Sequence, residues 1–337
     1  MPVPDIDGDR PGGLRITRPI PTASPRRLDG DSSALPRVNP LLGLVVATVG
    51  VSFAAVFISA ATTPPLVTAT WRMALTVLLL GPLLWPRRGA LAGLSRGDYG
   101  LIGAAGVLLA LHFATWTVSI FYTSVASSVL FVTVHPVLVA ALAWSLGGER
   151  PRRVVVLGIA LALLGSLIIA GGDVRLGGRA LAGDGLALAG AAVFAVYLLI
   201  GRRVRQRLDP ITYSAPVYLV CALALGLLAL LGGQAFDPRS WRNLALFAAL
   251  ALVCTVGGHL VYNWTLGHLD AAVVSVSFLG EPVIAALLAW PLLGQPLQPL
   301  TMLGGVVIVA GLYLTTTGSR PPDDNHQLAP VDVQPSA

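Results

Sequence analysis

The chain has no lysine. All 22 basic residues are arginine, and charged residues of both signs make up 11% of its 337 residues. Soluble domains carry about a quarter charged residues, so an ordinary globular protein is excluded. Without lysine no GxxxxGK[ST] phosphate loop exists, which rules out ATP binding by a Walker motif. The two cysteines, Cys221 and Cys254, both sit inside apolar segments and form neither a disulfide framework nor a metal-ligand spacing. An HExxH helix, a GxGD-type aspartate pair and a GxSG-type serine are missing, as is the repeated filter or charge ring of a channel. A membrane-embedded enzyme or a channel would have to work without a recognisable motif. No cofactor and no metal are expected. The N-terminus has no short apolar run followed by a small-residue cleavage site, so no signal peptide is expected.

What is present is hydrocarbon-loving sequence: 55% hydrophobic residues and a mean hydropathy of +0.77. Apolar runs of 18 residues or more recur, each long enough to cross about 30 Å of hydrocarbon. Ten spans are predicted, at 40–60, 65–85, 99–118, 125–146, 152–171, 184–201, 212–232, 244–264, 271–293 and 299–317. The expected fold is an all-α polytopic membrane protein whose partners are the lipid bilayer and a small-molecule substrate; the oligomeric state is left open. The first 39 residues and the stretch 318–337 are rich in Pro, Asp and other polar residues and read as disordered tails. Asp98, Asp184 and Asp270 each fall just before a span and are expected to be helix N-caps.

The net charge of +6 does not point to nucleic acid, because the arginines cluster in short runs between apolar segments, as topology signals do. Arg72 falls within a span, and Arg175, Arg179, Arg239 and Arg242 fall in alternate loops. The remaining arginines share the side of the two tails, which predicts that both termini are cytoplasmic. The Lys-free, Ala/Leu/Val/Gly-rich composition is that of a GC-rich bacterial genome.

Shifted by 146 residues, "HPVLVAALAWSLGGE" at 135–149 falls on "EPVIAALLAWPLLGQ" at 281–295. Pro136 meets Pro282, Trp144 meets Trp290, and Gly158 and Gly165 meet Gly304 and Gly311. The chain is therefore read as a duplication: a first five-helix repeat at 40–171 and a second at 184–317. Five is odd, so the second copy enters the membrane from the opposite side. Inverted repeats of this kind characterise secondary transporters, with the substrate site near the midplane between them.

The order of Arg72 in the second span, "FYTSVASSVLFVTVHPVLVAALAWSLGGE" in the first half, "LVYNWTLGHLDAAVVSVSFLGEPVIAALLAWPLLG" in the second and "GGVVIVAGLYL" in the last span resembles the EamA-type family of the drug/metabolite transporter superfamily. The resemblance covers residues 41–317. It implies a ten-helix inner-membrane carrier with a central cavity between its halves, moving small metabolites such as amino acids. One departure stands out. The acidic residue after the fourth helix is kept as Glu149, whereas Gln295 takes that place in the second half.

Ionisable groups inside a membrane are costly and are candidate functional residues by default. Glu281 and His135 occupy the same register in the two halves, so symmetry should bring them to similar depth beside the cavity. Glu281 is the candidate for proton coupling or for a cationic substrate group, since a buried carboxyl can be neutral in one state and ionised in another. Each precedes a proline, and Pro136 and Pro282 are expected to kink their helices, freeing the carbonyls of Val132 and Phe278. His112 and Trp116 are one turn apart on one face, and His259, Tyr262 and Asn263 are read as their counterparts. Together they make an aromatic wall with polar tips, suited to a small organic ligand. Arg72 lies too deep to snorkel and suits a substrate carboxylate or a structural ion pair.

Overall fold

The computed structural model describes residues 38–123, 128, 131–146, 151–170, 177–281, 283–284, 287–288 and 299–318. The expected tails, Pro282, Glu149, Gln295 and Trp290 lie outside the described residues, apart from Val38, Asn39 and Gly318 at the tail edges. Every described element is helical: α1 (Pro40–Ser52), α2 (Ala54–Ala60), α3 (Pro65–Leu84), α4 (Arg88–Ala92), α5 (Arg96–Ser119), α6 (His135–Ser145), α7 (Arg153–Ala170), α8 (Gly178–Arg205), α9 (Pro210–Leu231), α10 (Trp241–Ala249), α11 (Val261–Thr265), α12 (Ala271–Ser277) and α13 (Pro299–Gly318). A π-helical segment, Leu250–Leu260, joins α10 to α11, and 3₁₀ turns follow α3 and α12.

Six of these runs are long and apolar enough to span a membrane: Pro40–Ile58, Pro65–Ala92, Arg96–Ser119, Gly178–Arg205, Pro210–Leu231 and Trp241–Thr265. Four shorter apolar helices, His135–Ser145, Arg153–Gly165, Ala271–Gly280 and Met302–Thr315, fall in the four other predicted segments. The outward faces carry leucine and valine, with Leu78, Leu223 and Val306 all exposed, while Trp85 and Trp241 mark helix ends. That distribution is the reverse of a water-soluble surface and matches a lipid belt with interfacial tryptophans.

Helices approach closely where glycine removes the side chain. On α7 and α13, a Cβ added to Gly311 would lie 2.6 Å from the Gly158 carbonyl oxygen, and one added to Gly165 would lie 2.6 Å from the Gly304 carbonyl. Shifting either contact by 146 residues produces the other, so the two glycine contacts are reciprocal under that shift. Elsewhere α1 packs on the π segment, α5 on α8, and α3 on α9.

Several local expectations are corrected. Ser95, not Asp98, caps α5; Asp98 is the N3 partner of a capping box, its backbone N–H donating to Ser95 Oγ at 3.1 Å. α8 begins at Gly178, so Asp184 lies in the second turn rather than at the cap. Asp270 holds the N-cap position of α12 without a side-chain cap bond and pairs with Arg202 at 3.4 Å instead. Pro136 falls at a helix start. It occupies the first turn of α6, where its missing N–H has no intrahelical role to lose, after a 3₁₀-like step in which Val137 N–H donates to Val134 at 3.0 Å. The 3₁₀ turn Phe278–Gly280 falls at the same register in the second half. The carbonyls of Val132 and Phe278 both find partners: His135 Nδ1–H donates to the first at 2.9 Å, and the Glu281 backbone N–H to the second.

The glycine contacts set a stability test. Gly311→Ala should destabilise the detergent-solubilised protein by about 1–3 kcal/mol, because backbone atoms cannot yield to its Cβ. Gly103→Ala, where a Cβ meets nothing within 4 Å, should be neutral or gain up to about 1 kcal/mol from helix propensity. Equal melting of the two variants would show that close packing does not hold α7 against α13.

Candidate functional site

The cavity is assembled from helices that bend or change winding beside it. Val51 and Ala54 flank the α1–α2 joint, Arg72 projects from α3, and His112, Phe113 and Trp116 project from α5. Val132, Thr133 and His135 come from the break before α6, Phe194 from α8, His259 from the π segment, and Phe278 and Glu281 from the 3₁₀ turn after α12. Its volume is about 40 Å³. A water needs roughly 10–15 Å³ on this measure, so the space suits a few waters and must widen for an organic substrate.

Aromatic rings form most of the wall. His112 stacks on Phe194 with centroids 4.3 Å apart and on Trp116 at 6.2 Å, as the one-turn spacing predicts. His135 meets Phe194 and Phe278 edge-on at 5.1 and 5.4 Å, and His259 meets Phe113 edge-on at 5.4 Å. Backbone carbonyls hold two of the histidines. His112 Nδ1–H donates to Gly190 at 3.1 Å, as His135 Nδ1–H does to Val132. A carbonyl only accepts, so Nδ1 carries the proton and Nε2 of the neutral ring is left as an acceptor.

Polar atoms without partners converge on this space. Arg72 is 3% exposed. Its Nε–H donates to Thr255 Oγ1 at 2.8 Å and its guanidinium lies 4.7 Å above the Phe113 ring, yet Nη2 is buried with no hydrogen bond. Trp116 Nε1 is likewise unpaired. His135 Nε2 makes no hydrogen bond of acceptable geometry, although the Ser275 backbone lies close by. No ion pair within 4.0 Å joins Arg72 to Glu281 among the described residues. Buried polar groups are nearly always satisfied, and an orphan costs about 1–3 kcal/mol, so several around one cavity mark a place built to meet a ligand.

Six of the eight residues expected at the site line this cavity: Arg72, His112, Trp116, His135, His259 and Glu281. The other two do not. The Tyr262 ring stacks behind Phe278 at 3.8 Å, with its hydroxyl 2.7 Å from Thr48 Oγ1. Asn263 faces α8 and α9. Its Oδ1 accepts from Tyr197 at 2.8 Å, its Nδ2 donates to Ser214 and Tyr218, and its backbone carbonyl accepts from Arg205 Nε at 2.7 Å. Arg205 and Arg202 of the run expected to set topology thus also cap carbonyls at the end of α11. Sequence reasoning missed Phe113, Phe194 and Phe278, which look like any lipid-facing phenylalanine, and Thr255.

The profile of the EamA-like transporter family matches residues 39–171 and again residues 181–317. The chain belongs to the EamA-like transporter family. This EamA-family protein is similar to an uncharacterized transporter of Archaeoglobus fulgidus, 26% identical over 71% of this chain and 83% of the relative. It is 28% identical to the threonine/homoserine exporter RhtA of Escherichia coli K12, over 59% of this chain and 66% of that protein. A solved structure described only as the crystal structure of a protein superposes with a TM-score of 0.69 over 82% of this chain and 96% of its own, at 20% identity, and shares the fold. Membership makes the protein a multi-pass membrane transporter of small molecules.

The Asn263 hub generates its own expectation. Asn263→Leu removes the hydrogen bonds to Tyr197, Ser214 and Tyr218 and should lower stability by about 1–3 kcal/mol for each group left unpaired. Exposed His268→Gln should melt with the wild type. An undiminished melting temperature for Asn263→Leu would remove the structural role assigned to it.

Proposed function

We propose that this EamA-family protein exports zwitterionic metabolites such as amino acids across a bacterial plasma membrane, by alternating access and in exchange for protons. The observation that carries this reading is the pair of opposite charges, Arg72 and Glu281, which line one cavity without pairing with each other. A guanidinium edge takes a carboxylate in bidentate fashion. A carboxylate across the cavity takes an ammonium, and an α-amino acid carries both groups. The name of the relative RhtA supports the same class of cargo and the outward direction.

Glu281 gives this exchange a coupling device. A proton and a substrate ammonium compete for one carboxylate, so the site holds one or the other and each must leave before its competitor binds. His112, His135, His259 and Trp116 complete the wall around the substrate. The carrier is two inverted five-helix repeats, 40–171 and 184–317, with both termini cytoplasmic. The reciprocal glycine contacts and the two matches to the family profile support the duplication, and the arginine distribution supports the orientation.

Counterflow in proteoliposomes, with an amino-acid panel at several pH values, tests this reading. Wild-type protein should exchange at least one amino acid at a pH-dependent rate, and Glu281→Gln should flatten that dependence. Absence of exchange by any solute with folded protein present defeats the carrier function. Unchanged pH dependence in Glu281→Gln removes Glu281 as the proton site.

A further inference from the structure

Two opposite charges in one narrow buried cavity attract strongly, because the low dielectric screens them little. Left to itself, a long arginine side chain would swing onto Glu281 and cancel the site. The structure shows what restrains it. Thr255 Oγ1 accepts from Arg72 Nε at 2.8 Å and lies 3.1 Å from the Leu250 carbonyl oxygen. A carbonyl cannot donate, so the single hydroxyl proton of Thr255 is committed to Leu250. The lone pairs of Oγ1 are then left for the guanidinium. Leu250 lies five residues before Thr255, the register of a π-helix rather than an α-helix. The π winding thus brings the acceptor hydroxyl to Arg72, while the Phe113 ring supports the guanidinium face. What remains is the Nη edge, with Nη2 buried and unpaired.

We propose that Thr255, presented by the π-helical segment Leu250–Leu260, is the positioning residue that keeps Arg72 apart from Glu281 and turns its Nη edge toward the carboxylate of the cargo. Selectivity for carboxylate-bearing substrates is set by this residue through Arg72. The inference rests on the proposed carrier function, and it deepens that reading by assigning the element that keeps the two charges separately available.

The test is the near-isosteric Thr255→Val beside Thr255→Ser, each in the full chain. In Thr255→Val, KM for L-threonine in proteoliposomes should rise about tenfold or more with maximal rate largely unchanged, each tenfold corresponding to about 1.4 kcal/mol of binding. Thr255→Ser, which keeps the hydroxyl, should stay within about threefold of wild type by the same conversion. An experimental structure of Thr255→Val should show Arg72 moved off Phe113 and paired with Glu281. This readout needs no substrate, so it separates failure of the inference from failure of the carrier reading. A guanidinium that stays over Phe113 in Thr255→Val overturns the proposal. So does a KM equal to wild type, or a serine variant as impaired as the valine one.

Discussion

In hydrocarbon no water completes the hydrogen bonds of a backbone, so each N–H and C=O of a spanning segment must be satisfied by the chain itself. Regular helix is the cheapest answer, and departures survive only where protein or a polar space receives the freed groups. The departures here gather around one place. The α1–α2 joint at Phe53, the step before Pro136, the π segment Leu250–Leu260 and the 3₁₀ turn Phe278–Gly280 each contribute residues to the central cavity or directly flank it. Much of the irregular backbone therefore gathers at the site. The groups released there are put to use: the Val132 carbonyl fixes the tautomer of His135, and the Leu250 carbonyl takes the hydroxyl proton of Thr255.

The helical class and the positions of the segments were legible because hydrophobic run length is a strong signal. All ten predicted segments contain a helix, and His135 and Glu281, matched by register, do line one cavity. What stayed hidden depends on direction rather than position. His259 and Asn263 are four residues apart, which on an α-helix places them on one face. The π winding that runs to Leu260 breaks that rule: His259 lines the cavity, while Asn263 faces α8 and α9. Nothing in "LALVCTVGGHL" announces a π-helix. Likewise Asp184 reads as a cap because it falls just before the apolar run, whereas α8 starts six residues earlier.

On the proposed duplication, the two halves share a scaffold and differ in chemistry. Reciprocal glycine contacts hold α7 and α13 at backbone distance, and such contacts are sensitive to any added side chain. The cavity has no such symmetry. His135 and Glu281 line the same space with different chemistry, and Arg72 has Thr255 as its hydrogen-bond partner. Packing between repeats constrains both copies alike, while a ligand with distinct ends needs distinct groups around it. The divergence of polar residues over a conserved register follows from that difference in demand.

Selectivity then follows from what a wrong cargo leaves behind. On the proposed reading, a zwitterion satisfies Arg72 and Glu281 together, and each desolvated charge meets its complement. A simple amine or a simple carboxylate satisfies one and leaves the other charge buried without a partner, a penalty larger than the net worth of the contact it makes. Sites that hold polar groups ready in this way discriminate far more sharply against a missing group than apolar pockets do against a missing methylene. The aromatic wall adds shape and little polarity, so it can accept several side chains while the two charges read the common amino-acid core. A carrier built like this is strict about the zwitterion and tolerant about the rest of the molecule.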